Sequence, residues 1–179
     1  MLEPAILHKE EITRKDIATW YDDRYSFYRA SDFCEPITVD EYDWNRRQFA
    51  SVNSSGEVIG YISYGIERAA NFAHGLGATN FELGKNNLIF IRDVLKAIDD
   101  IFRKFRYNKL VFECVAGSPV ERRYDKLTSR CGGRIVGVYK EDYKLINGKL
   151  YDKKVYEIMQ TDYIKALLSI KTEFKEESQ

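Results

Sequence analysis

Two glycines and a histidine lie together in a segment that otherwise has the pattern of a strand. Gly75 and Gly77 interrupt the run from 71 to 81, and His74 directly precedes them. A glycine inside a strand marks either a packing-driven bulge or a backbone that a ligand approaches closely, and both alternatives stay open. A neutral imidazole can take up a proton near pH 7, although a lone histidine is more often structural.

A tyrosine and three cysteines are the other side chains with reactive potential. Tyr124 lies on a predicted amphipathic helix, where it is either a half-buried aromatic or a phenol that donates a proton from a free pKa of about 10. Cys34, Cys114 and Cys131 are far apart and form no CxxC pair, so we expect reduced thiols and no metal site. No His and Asn pattern accompanies them to indicate a nucleophile.

The composition of the chain indicates one globular domain. The 179 residues are long enough for one substantial core, and 28 Lys and Arg balance 28 Asp and Glu. A neutral total and the absence of a basic stripe interleaved with aromatics disfavour RNA binding and give no reason to expect a nucleic-acid or membrane partner. We expect a domain over 1–170 and a charged, frayed tail over 171–179.

The sequence has no apolar run typical of a signal peptide or a membrane span, so we expect a cytoplasmic protein. Two helices are predicted before the first strand. Thr13 is the predicted cap of one, and Thr38 to Glu41 form a capping box for the other. In the first helix the apolar positions that partly fit helical spacing are Ile17, Trp20, Tyr21, Phe27 and Tyr28.

The central region predicts a meander followed by a long helix. Alternating patterns over 48–52, 58–66 and 71–81 predict three strands, with a turn at 54–56. The helix is predicted from Asn87 to Phe105. Apolar residues at steps of three and four predict that one face packs on the core: Leu88, Ile91, Leu95, Ile98, Phe102 and Phe105.

The second half predicts a strand over 110–115 and a helix whose start is signalled by Ser118, Pro119 and Glu121. Strands over 134–146 and 149–160 follow, joined by the two-residue turn Asn147-Gly148, and a helix from Asp162 to about Ile170 ends the series. This order predicts an α/β fold of the α+β type. Its sheet would be mixed, mostly antiparallel and of about six to seven strands, with helices on both faces.

Several local motifs of the second half recur in a known family. The strand and loop from Leu110 to Pro119 lead into Tyr124-Asp-Lys-Leu127 and then Gly133-Arg134, and a hairpin segment runs from Leu145 to Asp152. In these motifs and in its order of elements, the chain resembles the GCN5-related N-acetyltransferase superfamily over about residues 48 to 163, and most closely the branch that acetylates protein N-termini, antibiotics and small amines. The resemblance implies an acyl-CoA N-acyltransferase fold that uses acetyl-CoA as cosubstrate and no metal.

The resemblance also implies where coenzyme A would bind. The loop that holds its diphosphate falls on Leu83 to Leu88, where Gly84 and Lys85 agree with the motif, while Leu83, Asn86 and Leu88 depart from it. Bulk at Leu88 would be expected to obstruct the phosphates. The implied cofactor-binding residues are Gly75, Leu76, Gly77, Gly84, Lys85, Asn86 and Asn87, together with Gly117 or Ser118 in place of the usual Asn.

By the same resemblance Tyr124 takes the place of the general acid that protonates the leaving thiolate. His74 and Glu82 are candidate bases, and Glu67 is a third. The aromatic N-terminal region, with its acids Asp22, Asp23, Asp32 and Glu35, corresponds to the wall that faces the acceptor.

Two functions remain open from the sequence. The first is an N-acetyltransferase that moves an acetyl group to a primary amine, on a small molecule or a protein N-terminus, as a monomer or homodimer. The second is a protein of the same fold without coenzyme A chemistry that acts as a binding or interaction module. The altered loop residues keep this second function open.

Overall fold

A computed structural model describes residues 1–27, 36–40, 42–83 and 87–176, with side chains up to residue 169. Seven strands form one sheet in the order β1-β2-β3-β4-β5-β7-β6. The strands are β1 (Leu2–Pro4), β2 (Arg46–Val52), β3 (Val58–Glu67), β4 (Phe72–Asn80), β5 (Lys109–Val115), β6 (Arg134–Lys144) and β7 (Leu150–Met159).

Four α-helices accompany the sheet within the described residues: α1 (Lys9–Thr19), α2 (Leu88–Asp99), α3 (Glu121–Arg130) and α4 (Gln160–Glu176). A π-helical turn, Asp100–Lys104, extends α2. In the described ranges, none of the helices has the combination of length and apolar character that crossing a membrane requires.

The sheet is mixed as predicted. β4 and β5 pair in parallel across the α2 crossover, and the other neighbouring strands pair antiparallel. The side chains of consecutive residues of β3 point to opposite faces of the sheet, as the pleat requires. Tyr61 belongs to a small core with Ile12 of α1, whereas Ile62 belongs to the large core that includes residues of α2, α3 and α4. Helices therefore cover both faces, and the predicted fold class is confirmed.

The first predicted helix begins earlier than its sequence signal. Thr13 lies inside α1, where its hydroxyl donates to the Lys9 carbonyl at 3.0 Å, so it is not the cap. The helix buries Ile12, Asp16 and Thr19, whereas Tyr21 is 84% exposed. A short strand and a 3-10 turn, Ala5–His8, lead directly into α1, and that tertiary context moved its start.

The second predicted helix is wrong over its described part. Residues 36–40 form no helix, and Glu41 lies outside the described residues. The Gln48 side chain donates to the Thr38 carbonyl at 2.7 Å and accepts from the Asp40 amide at 3.2 Å. These bonds hold the segment beside β2 and use the backbone groups that a helix would need.

Other elements agree with their predicted positions to within a few residues, except at the last helix. The bend at Gly56 and the turn at Gly148 both have positive φ, +83° and +77°. The second turn is one residue longer than predicted, because the Leu145 amide donates to the Lys149 carbonyl at 3.0 Å. α4 starts two residues before the predicted helix and extends to Glu176.

The apolar face predicted for the long helix is only partly the core face. Ile98 and Phe102 are buried as expected, but Leu88 is 66% exposed, Ile91 41% and Leu95 48%. Phe90, Ala97 and Ile101 take their places in the core. Ile91 and Leu95 of α2 line a cavity that is described below.

Candidate functional site

The parallel strands β4 and β5 separate after the third residue of each strand. They pair only at Ala73 with Leu110 and at His74 with Val111. The next residue, Gly75, has φ of +60°, which favours glycine, and Gly75 and Leu76 together lie opposite the single residue Tyr64 of β3. This bulge ends the parallel pairing, so a cleft opens between the two strands beyond it.

The glycines of this region border open space. A Cβ atom added at Gly75 or at Gly117, whose φ is +82°, would meet no atom within 4 Å. A Cβ atom at Gly77 would have its nearest neighbour, the Ser63 hydroxyl, at 3.6 Å. Absence of side chains thus leaves main chain on both sides of the cleft accessible to a ligand.

A cavity of about 400 Å³ lies at one end of the cleft, and we call it the α2–α3 cavity. Ile91 and Leu95 of α2 line it, which accounts for their exposure. Leu83 and two arginines, Arg24 and Arg123, lie at its border. An apolar wall with Arg123 and the ion-paired Arg24 in its lining suits a ligand that has both an apolar and an anionic part.

A second cavity, of about 310 Å³, lies between the separated strands, and we call it the β4–β5 cavity. Gly75, Leu76 and Gly77 line it from one strand, and Glu113 and Cys114 from the other. Tyr143 of β6 contributes to the wall. Its volume is at the lower end of the range for small-molecule sites, ~300–1,000 Å³.

Tyr124 lines both cavities, together with Phe27, Ser118 and Val120. Its ring packs edge-on against Phe112, with centroids 5.0 Å apart. Its hydroxyl makes no hydrogen bond within the described part of the chain, so it is free to donate to a ligand. Burial, with a smaller contribution from Cys114, raises the pKa of Tyr124 to about 12.

The helix that carries Tyr124 is fixed to β7 by a lysine. Lys154 Nζ lies 2.9 Å from Glu121 Oε1 and 2.7 Å from Asp125 Oδ1. The Tyr156 hydroxyl also donates to Asp125, at 2.9 Å. The hydrogen bond from Lys154 lowers the pKa of Asp125, and bonds from the Gly117 amide and Lys154 lower that of Glu121.

The predicted cap of this helix is wrong. α3 begins at Glu121, after Val120, and no side chain caps it. Glu121 reaches back to accept from the Gly117 amide at 2.7 Å, because the turn at Gly117 places that amide over the first helical turn. The Ser118 hydroxyl is instead buried beside both cavities, without a hydrogen bond to any described residue.

The other predicted site residues are distributed unevenly. Gly75, Leu76, Gly77 and Ser118 line the β4–β5 cavity, whereas Gly84, Lys85 and Asn86 lie outside the described residues. Asn87 caps α2 by accepting from the Phe90 amide at 3.0 Å. Glu82 lies on the preceding loop and accepts from the Asn87 amide group at 3.4 Å.

His74 is not brought together with Tyr124. It is exposed, packs over Gly65 and near Phe72, and lines neither cavity. Glu67 lies at the exposed end of β3, where it accepts from the Ala69 amide at 3.1 Å. Leu88, expected to obstruct phosphate approach, is 66% exposed and is not part of the lining of the α2–α3 cavity.

Part of the aromatic N-terminal region does form a wall. The Tyr25 hydroxyl donates to the Asn80 carbonyl at 2.7 Å, and Arg24 donates to the Leu83 carbonyl at 3.1 Å. Phe27 lies edge-on to Tyr151 of β7, with centroids 6.5 Å apart. Of the acids in this region, Asp22 binds Arg24, while Asp32 and Glu35 lie outside the described residues.

Four residues of the site were not found from the sequence: Glu113, Tyr143, Arg24 and Arg123. A signal existed for the first of them. Glu113 is the one charge inside the apolar run from Leu110 to Val115, and a charge there requires a partner or a cavity. No sequence pattern indicated the two arginines, because they are far apart in the chain and only the fold places both beside the α2–α3 cavity.

Comparison with known structures relates this geometry to known proteins. A GCN5-related N-acetyltransferase from Brucella melitensis aligns with a TM-score of 0.66 over 92% of this chain and 77% of that chain, at 18% identity. A variant of spermidine N-acetyltransferase from Vibrio cholerae aligns with a TM-score of 0.64 over 91% of this chain and 95% of that chain, at 17% identity.

The chain therefore has the GCN5-related N-acetyltransferase fold. The resemblance stated from the sequence is confirmed at the level of the fold. No family model matches the sequence, and no curated protein is detectably similar to it in sequence. At such low identity the likeness establishes the architecture, and the function has to be argued from the site.

Proposed function

We propose that this protein is an N-acetyltransferase that moves an acetyl group from acetyl-CoA to a primary amine, with Tyr124 as general acid. The observation that carries the proposal is the position of Tyr124. A buried tyrosine with a free hydroxyl stands where two cavities meet, in the cleft between separated parallel strands. Two substrates that react with each other need such a junction.

The residues of the α2–α3 cavity fit coenzyme A. Arg123 provides positive charge for phosphates, Arg24 lies in the same lining but is ion-paired with Asp22, and Ile91 and Leu95 provide apolar contact. Gly75 and Gly77 leave room beside the main chain for a narrow arm, and the Ser118 hydroxyl is a buried donor without a partner among the described residues. Bound acetyl-CoA would supply an acetyl group activated as a thioester.

The chain's own groups then account for the transfer. The cleft orients the neutral amine nitrogen toward the thioester carbonyl carbon, where a C–N bond forms and the C–S bond breaks. Tyr124 donates its phenolic proton to the departing sulfur, which leaves as a thiol. The proton that the attacking nitrogen loses passes to solvent, and Tyr124 recovers a proton from solvent, so the net products are an amide and a thiol.

The acceptor is proposed to be a small-molecule amine. The Vibrio cholerae protein that shares the fold is a spermidine N-acetyltransferase, which supports this class of acceptor. The β4–β5 cavity, of about 310 Å³, has the size of a small-molecule site and not of an extended groove for a polypeptide.

Calorimetric titration with acetyl-CoA and with desulfo-CoA, followed by a transfer assay on a panel of primary amines, tests the proposal. We expect micromolar binding of both nucleotides and acetylated amine detected by mass spectrometry. Binding without transfer to any amine would contradict the proposed activity. Absence of nucleotide binding would favour the alternative, a binding module that kept the fold and lost coenzyme A chemistry.

A further inference from the structure

Glu113 is the acidic side chain of the β4–β5 cavity among the described residues that line it. It lies on β5, between Phe112 and Cys114, which are both buried in the core. The Glu113 carboxylate accepts a hydrogen bond from the Tyr143 hydroxyl of β6. This neutral donor orients the carboxylate without compensating its charge.

Lys153, the lysine whose pKa Glu113 influences, is already engaged. Lys153 forms an ion pair with Asp142, and its Nζ lies over the rings of Tyr139 and Tyr143, at 5.0 and 5.5 Å from the centroids. Hydrogen bonding to Asp142 raises the pKa of Lys153, with a smaller contribution from Glu113. Within the part of the chain that the structure describes, Glu113 itself forms no ion pair, so one negative charge of this cluster faces the cavity.

The surroundings make that charge effective. Phe27, Leu76, Val115 and Val120 contribute apolar walls to the same cavity. A carboxylate beside apolar surface loses hydration and binds a cation more strongly than it would in open water. An ammonium group is a compact cation with three hydrogen-bond donors, which suits one carboxylate in a small cavity.

We propose that Glu113, oriented by Tyr143, binds an ammonium group of the acceptor other than the attacking nitrogen, and so selects aliphatic diamines over nucleophiles that carry no second positive charge. This inference rests on the proposed function, because it assigns the β5 side of the β4–β5 cavity, beside Glu113, to the acceptor and leaves the β4 side, beside Gly75 and Gly77, to the narrow arm of the donor. It adds a residue that determines specificity, and it places that residue in the same cavity as the Tyr124 side chain.

The binding of a cation can be tested without any turnover. We would titrate putrescine, and as its neutral counterpart the diol of the same chain length, into the wild-type protein and into Glu113→Gln. We expect the wild type to prefer the diamine, and the variant to bind it at least about tenfold more weakly, which corresponds to ~1.4 kcal/mol. Acetyl-CoA affinity should stay within about twofold, because the donor cavity is unchanged.

Glu57→Gln is the matched control. Glu57 lies at the turn before β3, where it accepts from the Asn53 amide group at 3.0 Å, and lines neither cavity. Its variant should bind the diamine like the wild type. Tyr143→Phe removes the donor but keeps the ring next to Lys153, and we expect about three- to tenfold weaker diamine binding with an unchanged melting temperature.

Three outcomes would overturn the inference: a wild type that binds no diamine, equal affinity for diamine and diol, or a Glu113→Gln variant with wild-type diamine affinity. A Tyr143→Phe variant that loses thermal stability but keeps its diamine affinity would reduce Tyr143 to a structural role and contradict the orientation step. The protein could also bind the diamine through Glu113 and yet bind no acetyl-CoA. That result would support the inference about Glu113 and contradict the proposed function.

Discussion

At the scale of single residues, burial decides what Tyr124 can do. Its pKa of about 12 lies well above that of a free phenol, because the ring is removed from water. The phenol is therefore protonated at neutral pH. A group that carries its proton there has one to donate to a leaving thiolate, and it cannot serve as the base that activates the amine.

Tyr124→Phe tests this assignment. We expect kcat to fall about 100-fold or more, since one general acid typically contributes ~10²–10⁴ in rate. Acetyl-CoA affinity and melting temperature should change little, because the hydroxyl bonds to no described residue and the ring contacts are kept. Tyr42→Phe, at a position 75% exposed, is the control. Turnover of Tyr124→Phe within about twofold of wild type would show that Tyr124 is not the general acid.

The sequence could indicate Tyr124 only through a family motif, and the site residues that lack a motif were missed. Ser118 was interpreted as a helix cap because its spacing to Glu121 fits a capping box. The turn at Gly117 changes which amide Glu121 reaches, and that turn depends on a positive φ that no spacing rule specifies. Glu113 was missed because a single charged residue in a strand forms no periodic pattern that would indicate a site.

At the scale of elements, α3 owes its position to charge as well as to packing. Lys154 is about 13% exposed and bridges two carboxylates one helical turn apart. Burial alone would lower the pKa of Lys154, but the hydrogen bonds to Asp125 and Glu121 outweigh burial and raise it. Removing one partner of such a cluster leaves the others uncompensated, so the helix that holds Tyr124 depends on this lysine.

Lys154→Met should destabilise the protein by ~1–2 kcal/mol at pH 7, a value reduced for the partial exposure of Asp125. Both carboxyl pKa values are lowered in the folded protein, so their stabilisation is complete above the unfolded values near 4 and is lost as pH falls through the folded ones. Urea unfolding at pH 7 and pH 3 should therefore show the difference from wild type shrinking in acid.

Lys126→Met is the control for this prediction, since Lys126 is exposed on the same helix and has no ion pair within the described residues. It should match the wild type at both pH values. A difference for Lys154→Met that is equal at pH 7 and pH 3 would assign the effect to packing and contradict the electrostatic account.

The helix α2 shows how far periodicity reaches. Its pattern predicted a helix of nearly the observed length, yet the pattern could not tell which apolar positions face the core and which face a cleft. Ile91 and Leu95 follow the same spacing as Ile98 but line the α2–α3 cavity. In the sequence, an apolar stripe that contacts a ligand has the same spacing as one that packs in the core. The two can be told apart only when the position of the neighbouring helix is known.

Two substitutions in α2 separate these functions. Leu95→Ala should cost less than ~1 kcal/mol of stability, because the side chain is 48% exposed, but it should weaken acetyl-CoA binding several-fold in a calorimetric titration. Ile98→Ala should cost ~2–5 kcal/mol, because the side chain is fully buried in the core. Intact nucleotide affinity in Leu95→Ala would show that the stripe does not contact the cofactor.

At the scale of the whole molecule, one short segment connects the two halves of the site. Residues 22–27 attach through Arg24 and Tyr25 to the end of β4 and the loop after it, and through Phe27 to Tyr151 of β7. Phe27 borders both cavities. Contacts at both ends mean that ordering one end restricts the other, so occupancy of the donor side should influence the acceptor side.

Hydrogen exchange measured with and without desulfo-CoA tests this coupling. Because Arg24 and Tyr25 bond to the main chain at Leu83 and Asn80, a nucleotide that orders the loop should slow exchange in 22–27 as well as in 80–83. Tyr25→Phe removes one of these bonds and should reduce the protection of 22–27 while leaving that of 80–83 in place. Protection confined to residues 80–83 in the wild type would contradict the coupling. It would mean that residues 22–27 move independently and that binding in one cavity does not affect binding in the other.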